Sequence, residues 1–180
     1  LLFDDGYIDN YLYAIPLLRK YNTKATFFLV TAFINGEITL NGIKGWESMT
    51  YKQIKEISQD NNFIIGAHSH NHKILSTLNN ENIKNEICIC IEQLSKIINK
   101  PIKYFAYPYG QSHHFNSEAI KIMRSKGILA ACSTIWRSYH NIDDLYKISR
   151  IMINSSDCTK VLNNKLEGFY DYISTIQSLK

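Results

Sequence analysis

The sequence contains no run of about 18 apolar residues, the shortest stretch typical of a helix that crosses a bilayer. Its charges are nearly balanced, because 20 lysines and arginines face 16 aspartates and glutamates, for a formal net charge of +4. The basic residues are scattered along the chain, so no patch favours nucleic acid as a partner. We therefore expect neither a membrane span within this chain nor nucleic-acid binding.

Cysteine is scarce and forms no framework. The four cysteines include no Cys-x-x-Cys motif. Cys88 and Cys90 lie two apart in a helical stretch, where they face different directions. We expect most of the cysteines to pack in the core. The sequence also has no Gly-x-Ser-x-Gly motif, which argues against a serine esterase, and no glycine-rich phosphate loop.

Strand-like and helix-like segments alternate along the 180 residues, a length typical of one domain. Strands are predicted at 25–30, 63–66, 103–107, 128–132 and 148–153, and helices at 9–21, 50–58, 80–99, 116–125 and 159–167. We expect Pro16 to kink the first helix, Thr50 and Gln53 to form a capping box, and residues 31–49 to form a long loop. The alternation predicts an α/β fold with a parallel sheet, open or closed into a barrel.

Two adjacent carboxylates follow the first apolar run. Leu1 to Phe3 reads as the end of a strand, and Asp4, Asp5 and Gly6 come next. Adjacent side chains on a strand point to opposite faces, so both carboxylates can share a site only where the backbone turns. Gly6 supplies the freedom for such a turn. On its own, Asp-Asp-Gly is also typical of an ordinary turn.

Two histidines follow a second apolar run at residues 63–65. His68 and His72 are four residues apart, which on a helical turn places both imidazoles on one side, where they can bind one metal ion. In isolation this spacing is more often coincidence than a ligand pair. Together with one carboxylate, the histidines complete three ligands and leave a position open for water, as in catalytic metal sites. Zinc is the default metal for two imidazoles and a carboxylate.

These segments resemble the signatures of the polysaccharide deacetylases, the NodB-homology domains among the carbohydrate esterases. Residues 3–7 (Phe-Asp-Asp-Gly-Tyr) resemble the first signature, residues 68–72 (His-Ser-x-x-His) the second, and residues 107–110 (Tyr-Pro-Tyr-Gly) the third. The form of residues 105–110 is most similar to the branch that acts on poly-N-acetylglucosamine of biofilm matrices. The resemblance implies a distorted, incomplete (β/α) barrel of the NodB-homology type.

The resemblance also implies a role for each residue. Asp5, His68 and His72 would bind the metal, and Asp4 would act as the general base on water. The backbone N–H of Tyr109 would stabilise the oxyanion that forms when the acetyl carbonyl is attacked.

The sequence departs from the family pattern beside the third signature. Ala106 stands where many members carry an arginine that orients the base. Arg150 is a candidate to supply that charge from elsewhere, against the alternative of an ordinary ion pair. We expect Tyr107, Pro108 and Arg150 to contact the substrate.

A second departure concerns the acid that must protonate the leaving amine. The family usually supplies a late histidine, but no histidine follows His140 in this sequence. His113 and His114 are candidate substitutes, although solvated loop histidines are the more frequent interpretation. His70 is expected to point away from the metal, and Ser69 to form a hydrogen bond within its loop.

The predicted function is metal-dependent removal of N-acetyl groups from a GlcNAc-containing polysaccharide of the cell envelope or the extracellular matrix. Two alternatives stay open: an O-acetyl esterase on xylan-like glycans, and a carbohydrate-binding domain that kept the metal site with little or no turnover. Residues 1–180 are interpreted as one catalytic domain that lacks residues upstream of Leu1. Nothing in the sequence indicates an oligomeric state.

Overall fold

The computed structural model describes residues 1–40, 46–138 and 145–173. Within them, five parallel strands form one sheet in the order of the sequence. The strands are β1 (Leu2–Phe3), β2 (Ala25–Leu29), β3 (Phe63–Ala67), β4 (Tyr104–Ala106) and β5 (Ala130–Cys132). The strand order never reverses, as it would in a doubly wound open sheet. The sheet curls into an incomplete (β/α) barrel, which confirms the predicted fold class.

Helices connect the strands. They are α1 (Ile15–Lys20), α2 (Thr31–Ile34), α3 (Tyr51–Ile57), α4 (Asn80–Ile98), α5 (Ser117–Ser125) and α6 (Thr159–Leu166), with a 3₁₀ turn at Leu75–Thr77. The predicted capping box is confirmed, because Thr50 and Gln53 exchange side-chain to backbone hydrogen bonds at the start of α3. No helix in the described part of the chain combines the length and apolar character that a bilayer-crossing segment requires.

The two faces of the sheet are filled differently. A large apolar cluster joins strand residues such as Phe27 and Phe105 to Ile83 and Ile87 of α4. The inner face holds a small cluster formed by Phe28, Ala106 and Cys132. Because side chains alternate along a strand, Phe27 and Phe28 serve opposite faces. The cluster on the inner face is therefore much smaller than the one that packs against α4.

Three sequence expectations need correction. The helix predicted at 9–21 is present, but Asn10–Ala14 is π-helical and only Ile15–Lys20, which includes Pro16, is α-helical; the kink expected at Pro16 stays a prediction. The loop predicted at 31–49 begins instead with the short helix α2, and its residues 41–45 lie outside the described part of the chain. The strand predicted at 148–153 is reduced to one bridge between Ile148 and Cys132, because the chain then leaves the sheet and Arg150 N–H donates to the carbonyl of Ile135.

Candidate metal centre and active site

The candidate site lies where the chain leaves the carboxyl ends of three strands. Asp4 follows β1, His68 follows β3, and Tyr107 follows β4. Parallel α/β sheets commonly bind ligands at this edge. The three segments that resemble family signatures are therefore brought together by the order of the strands, although they are far apart in sequence.

The first segment is the aspartate turn, residues 4–6. Asp5 and Gly6 have φ angles of 73° and 94°, and Gly6 N–H donates to the carbonyl of Asp4 at 2.9 Å. A Cβ atom on Gly6 would lie 3.0 Å from Cδ2 of Leu29, in a backbone conformation that L residues rarely adopt. The glycine thus permits the tight turn through which both carboxylates reach one site.

The second segment is the histidine loop, residues 68–72. The predicted helical turn is wrong here, because Ser69 and His72 have φ angles of 63° and 55°, in the left-handed region. Each such residue costs roughly 1–2 kcal/mol, so contacts elsewhere must hold the loop. The first N–H groups of α2, those of Thr31 and Ala32, donate to the carbonyls of Ser69 and His70.

His68 is fixed in one orientation. Its Nδ1 atom lies 2.8 Å from the carbonyl oxygen of Ala106, which can only accept, so Nδ1 carries the proton. In the neutral form of the ring, Nε2 then carries the lone pair, and it lies 3.6 Å from Oδ1 of Asp5. The backbone of Ala106 therefore serves the site even though its side chain departs from the family pattern.

The structure brings Asp5, His68 and His72 together. Oδ1 of Asp5 lies 3.6 Å from Nε2 of His68 and 3.5 Å from Nε2 of His72. Atoms that could ligate a metal, one from each of the three, all lie within 4.8 Å of one another. Oδ1 of Asp5 is buried without a hydrogen-bond partner among the described residues. Such an oxygen is costly unless a cation compensates it, so this donor set fits a divalent metal such as zinc.

Burial and neighbouring charges shift the pKa values of two of the candidate ligands. Burial, together with the charge of His68, lowers the pKa of His72 to about 4, so this imidazole is neutral near pH 7 and its lone pair can bind a metal. Burial raises the pKa of Asp5, and the neighbouring charge of Asp4 acts in the same direction. A bound cation would favour the ionised form of Asp5.

Asp4 is held by Arg150. One nitrogen of the guanidinium donates to Oδ1 of Asp4 at 2.8 Å, and Nε donates to the carbonyl of Ser133 at 2.7 Å. Burial alone would raise the pKa of Asp4, but the charges of His68 and Arg150 and the Arg150 hydrogen bond outweigh it and lower the pKa. The other oxygen, Oδ2, lies 4.0 Å from His68 Nε2 and faces the cluster.

The third segment, residues 107–110, contains both buried and exposed residues. Tyr107 is only 1% exposed, stacks on Phe115 at 3.8 Å and donates its hydroxyl to the carbonyl of Tyr146. Pro108 is also buried. Substrate contact by these two residues stays a prediction, although both are buried in this structure and Tyr107 packs in the core. Tyr109 is 53% exposed, and its ring centroid lies 4.8 Å from that of His72.

Of the remaining histidines, the three that the structure describes lie outside the cluster. Nδ1 of His70 lies 2.8 Å from Oγ1 of Thr31, so His70 points away from Asp5 as expected. His113 and His114 pack against each other beyond Tyr109, with 5.7 Å between the ring centroids of His114 and Tyr109. His140 lies outside the described residues. The expected hydrogen bond of Ser69 is absent: its buried Oγ has no partner in the described part of the chain.

Sequence reasoning missed one residue that contacts the histidine loop. The carboxylate of Glu86, on α4, accepts hydrogen bonds from the backbone and side-chain N–H groups of Asn71. A signal was present, because Glu86 lies between Ile83, Ile87 and Cys90 at helical spacing and so falls within the buried stripe of α4. A carboxylate at such a position requires hydrogen-bond donors.

The fold and the cluster define a class: an incomplete (β/α) barrel with a candidate metal-binding triad at the carboxyl edge of its strands. Within that class the family is shown by sequence, because residues 1–131 match the profile of the family described as polysaccharide deacetylase. The chain belongs to the polysaccharide deacetylase family, and the resemblance inferred from the three segments is confirmed.

Two curated proteins with similar sequences illustrate this relationship. YxkH of Bacillus subtilis is 25% identical over 154 residues, which are 86% of this chain and 50% of that protein. The poly-beta-1,6-N-acetyl-D-glucosamine N-deacetylase of Staphylococcus aureus is 26% identical over 177 residues, covering 94% of this chain and 58% of that protein. The chain thus spans 50% and 58% of the lengths of these two curated relatives.

A solved structure agrees in fold. The Streptococcus pyogenes deacetylase PplD, in complex with acetate, superposes with a TM-score of 0.79 at 26% identity. The match covers 92% of this chain and 69% of that chain. The incomplete barrel described above is therefore shared with a deacetylase of known structure.

Proposed function

We propose that this chain is the catalytic domain of a metal-dependent deacetylase that hydrolyses N-acetyl groups on a GlcNAc-containing polysaccharide. One observation carries the proposal: a carboxylate held by an arginine, Asp4, lies beside a separate triad suited to a metal, Asp5, His68 and His72. The name of the Staphylococcus aureus relative supports the choice of glycan. The substrate would belong to the cell envelope or the extracellular matrix.

The metal site would be formed by Asp5, His68 and His72, with zinc the expected ion. A divalent ion there supplies Lewis acidity, which polarises an acetyl carbonyl and makes water a stronger nucleophile. The protein holds the ligand atoms ready, because His68 donates from Nδ1 to Ala106 and His72 is neutral near pH 7.

Asp4 would accept the proton of the attacking water. Its low pKa keeps it ionised near neutral pH, and the bond from Arg150 to Oδ1 leaves Oδ2 free toward the triad. Arg150 thus takes the position-holding role that the family pattern assigns to an arginine at the place of Ala106. We propose this role for Arg150 in preference to substrate contact, because its side chain is almost fully buried.

Tyr109 would act at the other side of the substrate. Its backbone N–H is the candidate donor to the oxyanion that develops on the acetyl carbonyl. The φ angle of 62° at Tyr109 and the glycine that follows it set the direction of this peptide. A Cβ on Gly110 would lie 2.6 Å from the backbone nitrogen of Thr134, so a larger residue could not hold the same path.

The decisive experiment is acetate release from poly-β-1,6-N-acetylglucosamine, measured with zinc or cobalt added and again after chelation. We expect release that depends on the metal and is lost in Asp5→Ala. Acetylated xylan, tested in parallel, distinguishes an O-acetyl esterase from an N-deacetylase.

A second candidate is a carbohydrate-binding domain with little or no turnover. It is favoured by Ala106 at the position where many family members carry an arginine. Binding of the glycan without acetate release, in protein loaded with one metal ion per chain, would support this candidate and contradict the deacetylase.

A further inference from the structure

The histidine loop lacks a local reason for its shape. It contains no glycine, yet Ser69 and His72 both adopt left-handed backbone conformations. His68 is fixed by the end of β3 and by the carbonyl of Ala106, but neither contact reaches His72. Beside the ring contacts of His72 with His68 and Tyr109, the position of His72 therefore depends on contacts made by the loop residues just before it.

Glu86 supplies those contacts. Oε2 accepts from the backbone N–H of Asn71 at 2.7 Å, and Oε1 accepts from Nδ2 of Asn71 at 2.8 Å. The backbone carbonyl of Glu86 also accepts from the N–H of His70 at 3.0 Å. Asn71 immediately precedes His72, so one residue of α4 binds the loop next to the ligand.

Burying the carboxylate of Glu86 would be unfavourable without these hydrogen bonds. Only 7% of the residue is exposed, and it lies among the apolar side chains of α4. A buried carboxylate is tolerated when its oxygens accept hydrogen bonds, and here both oxygens do so from one loop residue. The long helix is itself fixed by its apolar stripe, which makes it a rigid support.

We infer that Glu86 is a positioning residue for the metal site, which orients His72 through Asn71. The inference rests on the proposed metal centre. It assigns to Glu86 no contact with metal or substrate, only control of where Nε2 of His72 lies. Groups one step removed from metal ligands commonly change metal affinity by about 10- to 100-fold.

The test compares three variants of the full chain by zinc titration. Glu86→Leu keeps the size and helix preference but removes both acceptors, and we expect zinc affinity to fall by about tenfold. Glu86→Gln should stay close to the parent, because the Asn71 side-chain amide can turn over and pair with the new amide. Glu92→Leu makes the same change at an exposed position of the same helix and should leave affinity unaltered.

A metal-free measurement separates positioning from general loss of structure. The imidazole proton resonances of the apo protein should move for His72 in Glu86→Leu and stay in place for His68. Should Glu86→Leu fail to fold, Asn71→Ala removes one of the same hydrogen bonds from the loop side and should weaken zinc binding about threefold.

The outcomes distinguish the two proposals. Parent protein that binds no zinc overturns the metal centre, and this inference with it. Parent protein that binds zinc, with Glu86→Leu equal to it, overturns the role of Glu86 alone. Equal shifts of His68 and His72 in the metal-free spectra would show a general structural role instead.

Discussion

The aspartate turn and the histidine loop deliver ligands to the same place by different means. The turn is short and is indicated by the adjacent Asp5 and Gly6, although the N–H groups of Val30 and Met49 also donate to its carbonyls. The loop has no glycine and keeps two L residues in the left-handed region. It is held instead by the first N–H groups of α2 and by Glu86 of α4. Adjacent residues thus indicate the bend of the aspartate turn, whereas the path of the histidine loop depends on contacts with other elements of the fold.

This difference explains what sequence reasoning could reach. The turn was predictable, because Asp and Gly after an apolar run indicate a change of direction. The spacing of His68 and His72 correctly suggested a shared site, but the helical turn offered as its cause was wrong. The spacing works because two left-handed residues direct both Nε2 atoms toward Asp5, and no local residue preference announces that geometry.

Other predictions also succeeded where they depended on neighbouring residues and fell short where they depended on distant ones. The capping box at Thr50 and the long helix at 80–98 were predicted, since both depend on residues a few positions apart. The ion pair between Asp4 and Arg150 joins residues 146 apart, and sequence could only name Arg150 as a candidate. The predicted strand at 148–153 is mostly absent, because after the bridge at Ile148 the N–H of Arg150 donates to the carbonyl of Ile135 and the pairing with β5 does not continue.

The largest effect should come from removing a ligand that the loop supplies. We expect His72→Ala to lose most of the single divalent ion that purified parent protein should hold per chain. Three protein ligands are the usual minimum for a catalytic zinc, and two bind far more weakly. Elemental mass spectrometry measures the number of metal ions per chain, with His113→Ala as the control. Full occupancy in His72→Ala would remove this residue from the metal site.

Asp4→Asn tests the aspartate turn, and it should separate metal binding from catalysis. The change keeps the shape and the Arg150 hydrogen bond but removes the proton acceptor. Metal content should stay near that of the parent, while acetate release falls by about 10²- to 10⁴-fold. The surface variant Asp60→Asn is a matched control. If metal disappears together with activity, Asp4 is a ligand and the division of the aspartate pair is wrong.

Arg150→Lys should have a smaller effect on the same turn. Lysine keeps the charge but cannot donate to both Asp4 and the Ser133 carbonyl in the fixed geometry of a guanidinium. We expect kcat to fall by about 10- to 100-fold with metal content unchanged. Arg19→Lys makes the same change in a surface ion pair. A rise in KM at constant kcat would instead support substrate contact by Arg150.

The histidines outside both segments should matter less still. A combined His113→Ala, His114→Ala, His140→Ala variant should keep more than a tenth of the parent rate, because none of these positions matches the family's acid. Activity would then depend on the metal, Asp4 and the residues around them. A collapse of acetate release would show that one of these histidines protonates the leaving amine.

The smallest effect should come from the serine within the histidine loop. Ser69 is fully buried and its Oγ has no partner in the described part of the chain, so Ser69→Ala removes a hydroxyl that stabilises nothing there. Zinc affinity should stay within about twofold of the parent, and the free energy of unfolding should not decrease. Thr31→Val is the informative contrast, because it removes the 2.8 Å bond to His70 without changing the shape of the side chain. That variant should lose about 1 kcal/mol of stability in urea denaturation.

A large loss of stability in Ser69→Ala, with none in Thr31→Val, would mean that contacts within the histidine loop hold its shape. The loop would then differ less from the aspartate turn than the structure indicates.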